Sequence, residues 1–297
     1  MLLNSKFPVK YVISKIKSEM IFVLFLGLLV KFFATIYIDY IPEMPLAIPA
    51  FIGTAISVLL SFKLSQSYER WWEARKIWGA IVNDSRTLVL LLQSFLPKEE
   101  SEEIKQITYR QIAWCYALGN HLRDLHVTED SEHLLSKEDL HTLKNIGNKP
   151  LGILQLNSLQ IANLKARGVL TEYNHVQLTN IIMRLTDSMG MAERIKSTIF
   201  PVTYVKVLHF VIYVFIITLS ISLGEIGSMF EIPLLIVISA SFFLLEKTAT
   251  HMQDPFSNRP SDTPVTTIAR TIEINLKELI QDNDIPEPYP DHGFYRL

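Results

Sequence analysis

The sequence predicts an all-α membrane protein with four membrane-spanning helices and a large helical region in water. Three observations predict it. Four apolar segments stand out, at about residues 20–40, 46–62, 205–223 and 232–245, and each reaches spanning length alone or with the helix that extends it. Between the second and third lies a long stretch whose apolar residues recur with helical period and never alternate as strands do. The composition is 49% hydrophobic and 20% charged, with a mean hydropathy of +0.23. That is too apolar for a typical soluble protein and too charged for a chain lying wholly in lipid.

The first segment follows an arm carrying Lys6, Lys10, Lys15 and Lys17. Its apolar run is longer than a signal-peptide core and shows no clear small-residue cleavage site, so an uncleaved helix is expected. Lys31 lies inside it. A lysine at mid-membrane costs about 2.5–3.5 kcal/mol on insertion scales, so it must snorkel, pair or face water.

The second segment opens the stretch PAFIGTAISVLLSFKLSQSYERWWEARKIWG, residues 49–79, around which the rest is organised. No proline interrupts it after Pro49, which is tolerated in a first helical turn. One helix of about 45 Å follows, longer than the roughly 30 Å hydrocarbon core. Thr54, Val58 and Phe62 share one face at i, i+4 and i+8, and Ser57, Ser61 and Ser65 form an adjoining strip. Hydroxyls in a spanning helix suit close helix packing or a wet cavity. On the second alternative Val58 and Phe62 form an apolar constriction that gates by dewetting. RWWEARKIWG then places three tryptophans near the membrane boundary. An aromatic belt accounts for Trp71 and Trp72. The interleaved Arg70, Glu73 and Arg75 imply charges paired against other helices.

Loop charges set the orientation. The link between the first two segments carries Asp39 and Glu43, and that between the last two carries Glu225 and Glu231, with no Lys or Arg in either. Lys63, Arg70, Arg75, Lys76, Lys247 and Arg259 lie on the other side. The positive-inside rule then puts both termini and the middle region in the cytosol. The expected organisation is a cytosolic arm (1–19), two spans (20–62), a cytosolic helical region (63–203), two spans (204–251) and a cytosolic loop, helix and tail (252–297).

In the middle region, residues 81–96 form an amphipathic stretch ended by Pro97. A helix over 98–124 has an acidic start, KEESEE, expected as a solvated face, and buries Ile107, Ile112, Trp114, Leu118 and Leu122 on one side. SKED at Ser136 reads as a capping-type start. Pro150 opens a helix to about Arg167, ended by Gly168, and a long helix follows over 171–198. His209 inside the third span raises the same question as Lys31. After the fourth span, Asp262 or Thr263 is expected to cap a helix with Pro264 in its first turn. The tail has three prolines and no regular helix.

Several function classes fall away. A formal net charge of −2 gives no basic field for nucleic acid. The single cysteine, Cys115, sits in an apolar run and is expected in the core. No HExxH, zinc spacing, GxSxG, P-loop or GxGxxG occurs, so no catalytic residue, cofactor or metal is expected. His121 and His126 are five apart among solvated charges and make a poor metal pair.

SYERWWEARKIWG (67–79), AERIKSTIFPVTY (192–204) and DPFSNRPSDTPVTTIARTIEINLKEL (254–279) resemble the bestrophin family, on its bacterial branch, in order and separation. The resemblance implies a homopentameric ion channel in the bacterial inner membrane, in contact with lipid and with its own copies. One axial pore is lined by the second helix. Its hydrophobic neck maps to Thr54, Val58 and Phe62, with Thr54 departing from the usual bulky apolar residue. A second, cytosolic constriction maps near Glu172 or Tyr173. Eukaryotic members bind calcium after an Asn-Pro-Phe-type turn. Here Asp254 and Asp262 remain but Arg259 stands where an acid is needed, so no calcium activation is expected. Eukaryotic members conduct anions, whereas characterised bacterial relatives resemble cation channels. Monovalent ions with cations preferred are expected, with an anion channel of the same architecture as the alternative. Two other classes compete: a non-conducting membrane scaffold that docks a cytosolic partner, and an intramembrane enzyme using His209 with Glu225 or Asp254.

Overall fold

The computed structural model describes residues 9–37, 44–127, 131–198, 200–224, 230–290 and 295. Lys6, Asp39, Glu43 and Glu225, used above for orientation and for the enzyme alternative, lie outside them. Among the described residues the secondary structure is helical: α1 (Val9–Ile36), α2 (Ala47–Phe95), α3 (Ser101–Leu122), α4 (Lys137–Leu143), α5 (Lys149–Ala166), α6 (Glu172–Ser197), α7 (Val202–Gly224), α8 (Glu231–Gln253) and α9 (Val265–Leu279). The chain forms two compact units, Ser5–Arg70 with Ile199–Gln253, and Trp71–Thr198 with Asp254–Leu297. Helix α2 contributes its first half to one and its second half to the other.

The first unit holds four helices long and apolar enough to cross a membrane: α1, the start of α2, α7 and α8. Helix α1 packs on α7 and α8, and α7 packs on α8. Their core joins Val23, Ile56, Leu60, Ile212, Ile216, Leu235 and Phe243. On α2, a Cβ at Gly53 would meet the ring of Phe215 at 3.2 Å, so the missing side chain is what lets α2 and α7 close. Each of α1 and α2 is tied to α8 by ions: Lys31 Nζ donates to Glu231 at 2.7 Å, Lys247 to Glu19 at 2.7 Å, and Lys63 to Glu246 at 2.7 Å. Lys31 therefore pairs, the second of the three options open to it.

The second unit is built around α3. From Gln111 to Asn120 every residue is buried, not only one side. The expected amphipathic helix is instead wrapped by α5, α6 and α9. Several of its polar groups are met inside: Gln111 donates to Ser85 Oγ at 2.9 Å, and the Tyr116 hydroxyl to Glu273 at 2.7 Å. Burial and the Glu273 charge push the Tyr116 hydroxyl well above the ordinary phenol range. Cys115 is fully buried, as expected of a core residue, and burial pushes its thiol up to about 12.

Three local expectations differ. Helix α2 does not stop near Gly79 but runs on to Phe95, absorbing the stretch at 81–96. Pro97 has an extended backbone and begins a short 3-10 turn, so the proline does end α2. The acidic run is no simple solvated face, because Glu100 and Glu103 both accept from the Arg167 guanidinium just past the end of α5. Helix α9 starts after Pro264, which is its N-cap with no side-chain cap bond. Asp262 instead turns its carboxylate back to the Arg259 N–H at 2.9 Å.

Others hold as read. Ser136 and Asp139 form a full capping box on α4. Gly168 takes the left-handed conformation at the end of α5, φ 77°, that a residue with a Cβ adopts only under strain. Of the tail, residues 283–290 carry no helix, and Tyr289 stacks under the Arg270 guanidinium, 4.2 Å from ring centre.

Candidate functional site

The membrane half of α2 has two unlike faces. Ile56, Leu60, Lys63 and Ser67 are buried at i, i+4, i+7 and i+11. Lys63 is the pin: its ammonium donates to Glu246 Oε1 at 2.7 Å and to Thr250 Oγ1 at 2.8 Å, with no solvent access. His209 Nε2 reaches the same carboxylate at 3.2 Å. A buried ion survives in this setting only when it is paired and hydrogen-bonded, and this one is. Further on, Arg70 Nε donates to the Gln253 carbonyl at 2.9 Å, and the Tyr204 hydroxyl donates to the Leu59 carbonyl at 2.7 Å.

The opposite face is open. Thr54 is exposed, Val58 is 67% exposed and Phe62 58%. Ser57, Ser61 and Ser65 stand exposed beside them. Thr54 and Ser57 donate to the Ala50 and Gly53 carbonyls, at 2.9 and 2.8 Å, so each hydroxyl is satisfied within its own helix. Phe62 leans toward Tyr204, ring centres 6.3 Å apart. Continuing down the same strip, Glu69 is exposed at i+7 from Phe62 and i+11 from Val58. The exposed face of α1 is different in kind. Ile21, Phe22, Phe25, Leu28 and Phe32 make it large and apolar, with Lys31 and Thr35 as its polar members near the end of the helix.

The Arg-Trp-Trp motif divides among partners. Trp71 donates its indole N–H to the Ser261 carbonyl at 3.2 Å, and Trp72 is exposed. Among the described residues Glu73 pairs with Lys76 at 2.7 Å on its own helix, not with another helix. Arg75 lies along Gly79.

The loop after α8 closes on itself. Asp254 accepts from the Ser257 hydroxyl, and Asp262 accepts the Arg259 N–H at 2.9 Å. Burial pushes the Asp262 carboxyl up to about 6, against the opposing pull of Arg259. A calcium ion wants several ionised oxygens and little positive charge nearby. Two carboxylates, one of them held toward its neutral form and both already engaged, do not fit one.

Glu172 and Tyr173 open α6, where Thr171 caps the helix by accepting the Asn174 N–H at 3.2 Å. Tyr173 is 69% exposed. Glu172 accepts from Lys165 Nζ at 2.8 Å, and that bond and charge hold its carboxyl below the usual range. His121 sits 3.4 Å from Glu193.

Sequence reasoning missed Lys63, Glu246 and Glu69. A signal for the first two was present: opposite charges in two apolar segments must meet to be tolerated. Glu69 needed only the 58–62 strip to be extended by two turns.

Comparison with known proteins fits this architecture. The Bacterial/Fungal Bestrophin protein family matches residues 6–278. The voltage-dependent anion channel-forming protein YneE of Escherichia coli strain K12 is 28% identical over 287 residues, 96% of this chain and 93% of that one. The voltage-dependent anion channel-forming protein sll1024 of Synechocystis is 25% identical, covering 81% and 78%. The crystal structure of a bacterial bestrophin homolog from Klebsiella pneumoniae superposes with a TM-score of 0.85 at 26% identity, covering 91% of this chain and all of that one. With four helices fit to span a bilayer and a family match over nearly its whole length, this chain is a membrane protein of the bacterial and fungal bestrophin family.

Proposed function

We propose that the chain forms a homopentameric ion channel in the bacterial inner membrane, with both termini cytosolic. Five copies of α2 surround one axial pore, and Thr54, Val58 and Phe62 form its neck. The observation that carries this is the contrast between exposed faces. The exposed α1 residues from Ile21 to Phe33 are large and apolar apart from Lys31, as lipid favours, while the open α2 face mixes Thr54, Ser57, Ser61 and Ser65 with Val58 and Phe62. Hydroxyls and a following carboxylate serve no purpose against acyl chains but suit a narrow water path between like helices. The buried pin at Lys63 holds the other face to α8, so the open face is the one left for neighbours. Glu172 and Tyr173 are assigned to a second constriction on the cytosolic side, and Arg70, Trp71, Trp72, Glu73 and Arg75 to fixing the α2 exit. Calcium does not activate the channel.

Monovalent cations are favoured over anions, because the first charge on the open strip beyond the neck is the carboxylate of Glu69. A second reading, an anion channel of the same architecture, is favoured by the printed names of the Escherichia coli and Synechocystis relatives. The scaffold alternative is excluded by any ion flux from proteoliposomes. The enzyme alternative draws no support from the partners seen, since His209 lies against Glu246 and Asp254 accepts from Ser257.

The test is electrical. In planar bilayers, Val58→Ala with Phe62→Ala raises single-channel conductance several-fold, and unchanged currents overturn the neck assignment. The reversal potential under a potassium chloride gradient then decides the sign of the permeant ion.

A further inference from the structure

The connection between α3 and α5 carries a cleft of about 530 Å³, formed around the short helix α4. That lies within the roughly 300–1,000 Å³ usual for small-molecule sites. Lys137, Lys144 and Lys149 line it, together with His126 and His141. Leu140 and Leu143 give it an apolar wall, and Glu132 is its carboxylate. Among the described residues, three lysines thus line the cleft with one acid, in a chain whose 28 basic residues are outnumbered by 30 acidic ones.

Such a gathering is self-repelling, and proteins usually relieve it with ion pairs. Here, among the described residues, Lys137, Lys144 and Lys149 each lack a carboxylate within ion-pair distance. Glu138 is exposed beside Lys137, and two other acids, Asp139 on α4 and Glu193 beside Asn148, are engaged elsewhere. Asp139 is taken by Arg110, at 2.7 Å and 2.9 Å, and by the Ser136 N–H of the capping box. Glu193 accepts from Asn148 at 2.9 Å and lies 3.4 Å from His121. Asn148 is itself occupied in capping α5, accepting the Leu151 N–H at 3.1 Å. The cleft is left with mobile point-charge donors, the kind that grips phosphate oxygens.

We propose that this cleft binds a small anion bearing two or more phosphate charges, with Lys137, Lys144 and Lys149 as its ligands. The same chemistry is offered by a soluble di- or triphosphate and by a phosphorylated lipid headgroup. The experiment separates them. The full chain in detergent is titrated calorimetrically with inorganic pyrophosphate, and separately with micelles doped with a phosphatidylinositol bisphosphate. Saturable pyrophosphate binding at or below millimolar concentration is expected. Lys144→Gln with Lys149→Gln weakens it at least tenfold, and Lys98→Gln, a lysine outside the cleft, leaves it unchanged. Tighter binding of the doped micelles, lost with the same pair of substitutions, supports the site and assigns its source to lipid. The proposal fails if neither probe saturates, or if binding survives Lys144→Gln with Lys149→Gln.

Discussion

Lys63 shows how one side chain sets the orientation of a helix. It directly follows Phe62, yet a step of about 100° per residue carries it from an open strip to a sealed one. There it holds Glu246 and Thr250, itself sealed from solvent. Removing one member of such a pair strands the other charge, at a cost of about 3–5 kcal/mol. Lys63→Met should therefore lower the thermal midpoint of the detergent-solubilised protein sharply. Lys63→Met with Glu246→Met should recover most of the loss, because neither charge is then left unpaired. A double variant as unstable as the single one would show that the site needs its ions for more than mutual neutralisation. The pair was legible only in half. Each charge was visible beside or within an apolar segment, but which partner each would choose depends on how the helices pack, and one-dimensional pattern does not carry that. Asp262 shows the same limit. Its place before a helix suggested a cap, whereas its carboxylate turns back to the Arg259 N–H.

At the scale of elements, α2 was the most legible part of the chain and also the one most underestimated. Its unbroken helical sequence, its apolar first half and its face of Thr54, Val58 and Phe62 could all be read directly. Its true end could not, because Gly79 was an easy place to stop. A single glycine costs only about 1 kcal/mol in a helix, and the packing of Trp78 and Ile81 in the core outweighs that. Helix α3 was misjudged for a related reason. Its polar residues suggested a wet side, but Gln111, Tyr116 and Asn120 find partners in Ser85, Glu273 and the His126 carbonyl. Polar side chains that find such partners are compatible with full burial, and sequence does not reveal the pairing. The length of α2 also gives Glu69 its meaning. Because the strip stays in phase past Phe62, that carboxylate follows the proposed neck on the same side. If five such carboxylates ring the path, Glu69→Gln should at least halve the potassium-to-chloride permeability ratio without changing subunit number. An unchanged reversal potential would place the selectivity elsewhere and remove the main support for cation preference.

At the scale of the whole molecule, the number of spans was legible because two independent signals agreed. Segment length gave four, and the lysine and arginine distribution required an even number. The proposed pore is not a property of one chain, since it requires copies of the α2 strip to close around an axis. Cyclic closure makes the contact heterologous: one face of each copy meets a different face of the next, and the ring size follows from the angle between them. The proposed ring is five, so mass photometry or native mass spectrometry in mild detergent should return five times the 34.1 kDa chain mass. That measurement also separates two ways of failing. A stable monomer that conducts nothing would remove the shared axis, and with it the roles given to Thr54, Val58, Phe62 and Glu69. A pentamer whose currents ignore Val58→Ala with Phe62→Ala would keep the assembly and move the constriction, leaving Glu172 and Tyr173 at the start of α6 as the next place to look. Only the first outcome reaches back to the premise that the open face of α2 is open because other copies of it are meant to be there.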